Sequence, residues 1–182
     1  MTNIVIADDH HLMRESVASL LREEPDFKVV GQCSNGRELL KLVELFRPNV
    51  AVVDVSMPEL NGIEATRLIH KNNPSTRIIA LSIYTDEAYI RDMISAGASG
   101  YVIKSEAAKD LVKAIRKSSR GKEYFSEEIA DTARRIQSNI GKGKNASSST
   151  RRRLHSVNEI CSSFLANVAS LTSKAIRHKL VP

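Results

Sequence analysis

Cysteine is scarce in this 182-residue chain: Cys33 and Cys161 stand alone, with no paired spacing. That excludes a disulfide framework and a Cys-based zinc site, and the expectation is two reduced thiols in a cytoplasmic protein. Long apolar runs are also missing. None approaches the roughly 20 residues that a membrane helix needs, so no membrane partner is expected. Strand character begins by Asn3, which leaves no room for a signal peptide.

What charge there is lies unevenly. Residues 1–120 hold 16 basic and 16 acidic side chains, whereas residues 121–182 hold 11 basic and 5 acidic, which accounts for the whole net charge of +6. A basic tail on a neutral body points to an anionic partner, duplex DNA being the commonest, and a merely solvated tail is the plain alternative.

Along residues 1–120 short apolar runs alternate with helical patterns five times. Strands are predicted at 3–8, 28–32, 50–54, 77–82 and 100–104. Helices are predicted at 11–24, with Leu12, Val17, Leu20 and Leu21 inward, and at 36–46, 63–71, 86–95 and 106–119. Apolar runs of this kind belong to a parallel sheet covered on both faces. The expected fold is α/β, a doubly wound, flavodoxin-like, five-stranded parallel sheet in the order 2-1-3-4-5. After it come a helical connector at 121–138, with an amphipathic helix from Phe125 to Ile136, and a flexible Gly/Ser-rich linker at 139–150. A short basic helical tail fills 151–182, with an apolar stripe from Leu154 to Leu171.

Polar residues close these runs. Asp8 and Asp9 end the first strand, Asp54 the third, Ser82 the fourth and Lys104 the fifth. In an open parallel sheet the ligand crevice lies beyond the carboxyl ends of the strands, where the strand order reverses, so these side chains converge. Clustered carboxylates repel and call for a cation. Oxygen ligands with neither His nor Cys among them suit Mg²⁺. Such an ion would screen a carboxylate from an incoming phosphoryl group, with Lys104 pairing to phosphate oxygens and Ser82 donating a hydroxyl. An aspartate that accepts phosphate becomes an acyl phosphate.

Asp8-Asp9, Asp54, Ser82, Tyr101 and Lys104, with Met57-Pro58-Glu59-Leu60-Asn61-Gly62 after the central aspartate, resemble the receiver domain of bacterial two-component response regulators over about residues 2–120. The runs Ala7-Asp8-Asp9-His10-His11-Leu12-Met13-Arg14 and Gly97-Ala98-Ser99-Gly100-Tyr101, with Ser105 after Lys104, are similar to the NarL/FixJ subfamily. The resemblance implies a signalling protein rather than an enzyme, at most taking phosphate from small donors and losing it again. Asp54 would be the phosphoacceptor for a sensor histidine kinase. Asp9, Asp54 and the backbone carbonyl of Ser56 would hold Mg²⁺, with Asp8 acting through a metal-bound water. Ser82 and Lys104 would grip the phosphoryl group, Tyr101 would be a switch that swings inward, and phosphorylation would favour a homodimer. No role is expected for His10 or His11.

Subfamily members usually end in a LuxR-type helix-turn-helix that regulates transcription, but its opening pattern is not found in residues 151–182. The expectation is a truncated or diverged output region in which Arg151, Arg152, Arg153, Lys174, Arg177 and Lys179 contact DNA phosphates without reading bases. The competing expectation is a receiver that acts by protein contact, or as a phosphate sink, without DNA. Two other classes fit poorly. A phosphatase of the aspartyl-phosphate type would place a second acid two residues after its nucleophile, where this chain has Ser56, and a flavin site would need a phosphate cradle that the loop after Asp8 lacks.

Overall fold

The computed structural model of the chain describes residues 1–140. The tail with its six basic residues, its apolar stripe, Cys161 and the linker from 141 onward lie outside the described residues. Six parallel strands, β1 (Thr2–Ala7), β2 (Phe27–Cys33), β3 (Val50–Asp54), β4 (Arg77–Ser82), β5 (Gly100–Ile103) and β6 (Tyr124–Phe125), run in the order 2-1-3-4-5-6. The helices are α1 (His11–Arg22), α2 (Gly36–Phe46), α3 (Gly62–Asn72), α4 (Glu87–Ala96), α5 (Ala107–Ser118) and α6 (Ala130–Ile140).

Side chains alternate across the pleat, and the core divides accordingly. Val5, Ala51, Val53, Ile78, Ala80 and Tyr101 pack with α2, α3, α4 and α6 on one face. Ile4, Ile6, Val52, Ile79, Leu81 and Val102 pack with α1 and α5 on the other. Both faces being covered, the central strands can be apolar throughout, as in β3, where every residue is buried.

Helix α1 turns differently from expectation. Leu12 is 63% exposed, and Met13 at 1% takes the inward place with Val17, Leu20 and Leu21. The reason is helical phase: 13, 17, 20 and 21 share one face at spacings of four, three and one, while Leu12 sits one residue, about 100°, off it.

The sequence pattern predicts no sixth strand, because two residues are too short to show an alternation. Tyr124 and Phe125 pair with Gly100 and Tyr101. Buried Ser126 anchors the edge: its N–H donates to the Tyr101 carbonyl (3.0 Å), and its hydroxyl donates to Asp110 Oδ2 (3.0 Å) while accepting from the Ile103 N–H (3.2 Å). The expected helix from Phe125 is therefore a strand end and a 3-10 turn (Glu127–Ile129), with α6 starting at Ala130 and running on to Ile140. Ile129, Ala133 and Ile136 join the core beside Ile90 and Met93 of α4, and Arg135 pairs with Glu87 (2.7 Å).

One glycine ties the scaffold to the crevice. Gly62 N–H donates to the Val55 carbonyl (3.0 Å), and Asn61 caps α3 by accepting from Glu64 N–H (2.9 Å). A Cβ on Gly62 would lie 2.0 Å from the Asp54 carbonyl oxygen, which is backbone and cannot rotate away. Gly62→Ala is therefore expected to destabilise the chain by about 3 kcal/mol or more, since overpacking here must displace β3. Urea denaturation measures this, and a loss within error would show that the loop after Asp54 shifts freely.

Candidate functional site

The strand order reverses between β1 and β3, so Asp8-Asp9 and Asp54 leave neighbouring strands side by side. Ala7 pairs with Val53, Asp54 with Leu81 and Ser82 with Ile103, which places all the strand-end residues on one rim. Lys104 comes next, in a short 3-10 turn (Lys104–Glu106).

Asp8, Asp54 and Lys104 are almost wholly enclosed, at 1%, 4% and 3% exposure. Lys104 Nζ lies 2.9 Å from Asp54 Oδ2, to which it donates a hydrogen bond, and 2.9 Å from Asp8 Oδ2, with which it forms an ion pair. Asp54 Oδ1 is the looser oxygen, receiving only a long contact (3.4 Å) from the Ser56 N–H. Burial pushes the Asp54 carboxyl up to about 7. The Lys104 charge opposes that shift, and the negative charge of Asp8 adds to it. Burial alone would lower Lys104, but the charges of Asp54 and Asp8 outweigh it and hold the ammonium above its ordinary value. Both directions express one fact: three carboxylates, those of Asp8, Asp9 and Asp54, face one ammonium.

Ser82 and Tyr101 lie deeper. The Ser82 hydroxyl oxygen accepts from Tyr84 N–H (3.0 Å), and the Tyr101 hydroxyl donates to the Tyr84 carbonyl (2.8 Å). Tyr101 is fully buried, with its ring inward, and burial pushes its hydroxyl pKa upward. Tyr84 in turn stacks on Tyr89 of α4, their ring centres 4.2 Å apart. The fourth strand end is thereby connected to a helix on the surface. Tyr101→Phe is expected to lose about 1–2 kcal/mol, because the Tyr84 carbonyl keeps its burial and loses its donor. Urea unfolding of the two forms tests this; equal midpoints would mean that another donor replaces the phenol.

Sequence reasoning misses two residues near the rim. The Arg14 guanidinium donates to the Asp8 carbonyl (2.6 Å) and steadies the strand end; its signal is the spacing of one helical turn from His10. The His10 ring stands among the acids, Nδ1 being 2.8 Å from Asp9 Oδ1 and 3.5 Å from Asp8 Oδ1. The expectation of a purely oxygen environment is corrected on that point, because the chain turns into α1 at His10 and brings its ring back over the cluster. One ligand atom each from Asp8, Asp9, His10 and Asp54 lies within 4.8 Å of the others. The excess negative charge and an enclosed Asp8 Oδ2 with no aligned hydrogen-bond donor fit a divalent cation.

The response regulator receiver domain matches residues 4–116. The chain belongs to that family. Its members are signalling proteins rather than conventional enzymes. The transcriptional regulatory protein DegU of Brevibacillus brevis is 39% identical over 126 residues, covering 69% of this chain and 53% of its own. The response regulator GacA of Pseudomonas viridiflava is 33% identical, covering 71% and 61%. The chain thus spans only about half to three-fifths of the length of these relatives. A LuxR-family two-component response regulator from Aurantimonas matches the receiver structure with a TM-score of 0.71 at 31% identity, covering 76% of this chain and 99% of that one. The isolated receiver of RcsB from Salmonella enterica, solved with a phosphomimetic, matches at 0.67 and 27% identity, covering 72% and 97%. These relatives place the receiver among NarL/LuxR-type regulators. Among the described residues no helix is long and apolar enough to cross a membrane.

Proposed function

We propose that this chain is a cytoplasmic response regulator of transcription, switched by phosphorylation of Asp54 from a sensor histidine kinase. The observation that carries the reading is Lys104 Nζ at 2.9 Å from both Asp54 and Asp8, inside a buried acidic cluster at the sheet's switch point. Asp8, Asp9, Asp54 and the Ser56 carbonyl would hold Mg²⁺, whose charge would offset the carboxylates and draw in the phosphoryl oxygens.

The protein's own groups set the rest. Asp54 must be ionised to attack, yet its burial favours the protonated form near neutral pH. A cation in the cluster reverses that preference by the ordinary attraction of opposite charges. Asp54 Oδ1, the looser oxygen, then forms the bond to phosphorus as the bond from phosphorus to the donor's imidazole nitrogen breaks. Lys104 is placed to pair with a phosphoryl oxygen, and Ser82 to turn its hydroxyl toward another. Ser82 would then release Tyr84 N–H, and the adjustment would pass through Tyr101, Tyr84 and Tyr89 to α4. A shift between two arrangements of that surface supplies the output. Homodimerisation and DNA contact through Arg151, Arg152, Arg153, Lys174, Arg177 and Lys179 complete the reading, supported by a structural neighbour solved as RcsB dimers bound to DNA.

The test is to incubate the full chain with acetyl phosphate and Mg²⁺ and to locate the hydroxylamine-labile phosphate by mass spectrometry. Label on Asp54, with duplex-DNA anisotropy that rises on labelling, is the expected result. No acyl phosphate would refute the phosphoacceptor role; label without any change on DNA would refute the output role.

A further inference from the structure

The phosphoryl reading makes no use of the His10 ring. His10 occupies the N-cap position of α1, yet its side chain caps nothing. Its backbone N–H donates to Asp8 Oδ1 (2.9 Å), which pins the residue against the cluster. Nδ1 approaches Asp9 Oδ1 at 2.8 Å and Asp8 Oδ1 at 3.5 Å, but neither contact is aligned as a hydrogen bond, and the atom is enclosed without a partner. Asp8 Oδ2 is in the same position: Lys104 supplies charge at 2.9 Å but directs its aligned bond to Asp54. Enclosed polar atoms without partners are uncommon because each forfeits its hydration. Here the nitrogen and the oxygen belong to one group of four donors spanning 4.8 Å. Opposite ligands of a small divalent ion stand about 4.2 Å apart, so a slight closure would bring them onto one centre.

Resting on the reading of this cluster as a divalent-cation site, we propose that His10 Nδ1 is a ligand in it. The site then takes a borderline transition ion, such as Co²⁺, Ni²⁺ or Mn²⁺, in addition to Mg²⁺. Imidazole nitrogen favours such ions, whereas carboxylate and carbonyl oxygens serve Mg²⁺ equally well without it. Ligation through Nδ1 puts the remaining ring proton on Nε2, on the more open side of the ring. His10 therefore sets which metal the receiver prefers, and leaves the oxygen ligands and Lys104 to act on phosphate.

The experiment is calorimetric titration of the metal-stripped full chain with Mg²⁺ and, separately, with Co²⁺. Wild type is compared with His10→Ala and His10→Gln, folding being checked by circular dichroism. The Co²⁺ visible spectrum and its displacement by Mg²⁺ confine the signal to the shared site, apart from the other histidines of the chain. Both variants are expected to lose Co²⁺ affinity by at least about tenfold, the loss that even an outer partner of a metal ligand causes. Mg²⁺ affinity stays nearly unchanged. Equal losses for the two ions would overturn the proposal, because His10 would then only position Asp9. Unchanged Co²⁺ affinity would overturn it as well. Saturable Mg²⁺ binding in either case leaves the cation site standing, whereas wild type binding neither ion removes the site and the proposal together.

Discussion

Asp54→Asn is expected to abolish acyl-phosphate formation and, in the absence of divalent ions, to make the protein more stable at pH 8. The first effect follows from the proposed role, since an amide cannot accept the phosphoryl group to give an acyl phosphate. The second follows from linkage. The folded carboxyl is raised from 3.8 to about 7, chiefly by burial, so the folded state holds this proton more tightly than the unfolded state does. Below about pH 4 both states are protonated and the residue carries no penalty. Between about 4 and 7 the unfolded chain ionises first, and stability falls as pH rises. Above 7 the full penalty remains. At roughly 1.4 kcal/mol per pKa unit this amounts to about 2–4 kcal/mol, which the amide of the variant would avoid while still accepting the hydrogen bond from Lys104. Urea denaturation of both proteins at pH 5 and pH 8 reads the difference directly. The gap should widen at the higher pH and shrink when Mg²⁺ is added, because the cation favours ionised Asp54 only in the wild type. A gap that is constant with pH would mean that Asp54 is not the group titrating.

Lys104→Met should have the opposite sign and a comparable size. The substitution keeps the volume but removes the one ammonium that faces Asp8 and Asp54, each at 2.9 Å. Breaking a buried pair by deleting one partner costs about 3–5 kcal/mol, because the remaining charge stays desolvated. A loss of that size lowers the melting temperature of a domain this large by about 10 °C or more. The loss should be greatest in EDTA at pH 8 and should diminish toward pH 5, where the carboxyls take up protons. Mg²⁺ should restore more stability to this variant than to the wild type. Calorimetric melts under these conditions check the claim; a change below about 1 kcal/mol in EDTA would mean that the aspartates are neutral already and need no counter-charge. Together the two substitutions separate the excess of negative charge from its compensation.

Much of this site could be read without coordinates. An apolar run closed by a polar residue already says that the residue stands at a strand end, since a strand buried on both faces tolerates polarity only where it emerges. Asp8, Asp54, Ser82 and Lys104 were legible for that reason, and the alternation of strands with helices brought them to one rim. Where local pattern and tertiary packing pull the same way, as in β3 and α2, the boundaries agree as well.

Other features depend on contacts between residues far apart in the chain. Leu12 and Met13 are both apolar and adjacent, and the packing of α1 on the sheet alone selects Met13. Tyr124 and Phe125 become a strand because the edge of β5 is there to pair with, and Ser126 holds them through Asp110, 16 residues away. The sharing of one ammonium between Asp8 and Asp54 joins residues 50 positions or more from Lys104. No sequence period encodes that distance. His10 is the sharpest case, since its ring could have faced solvent from the same backbone position. Sequence alone determined which residue types end each strand, because burial on both faces leaves no other place for charge. Tertiary structure alone decided which side chains meet there and which atoms go unpartnered, because those depend on distances between strands that the chain brings together only on folding.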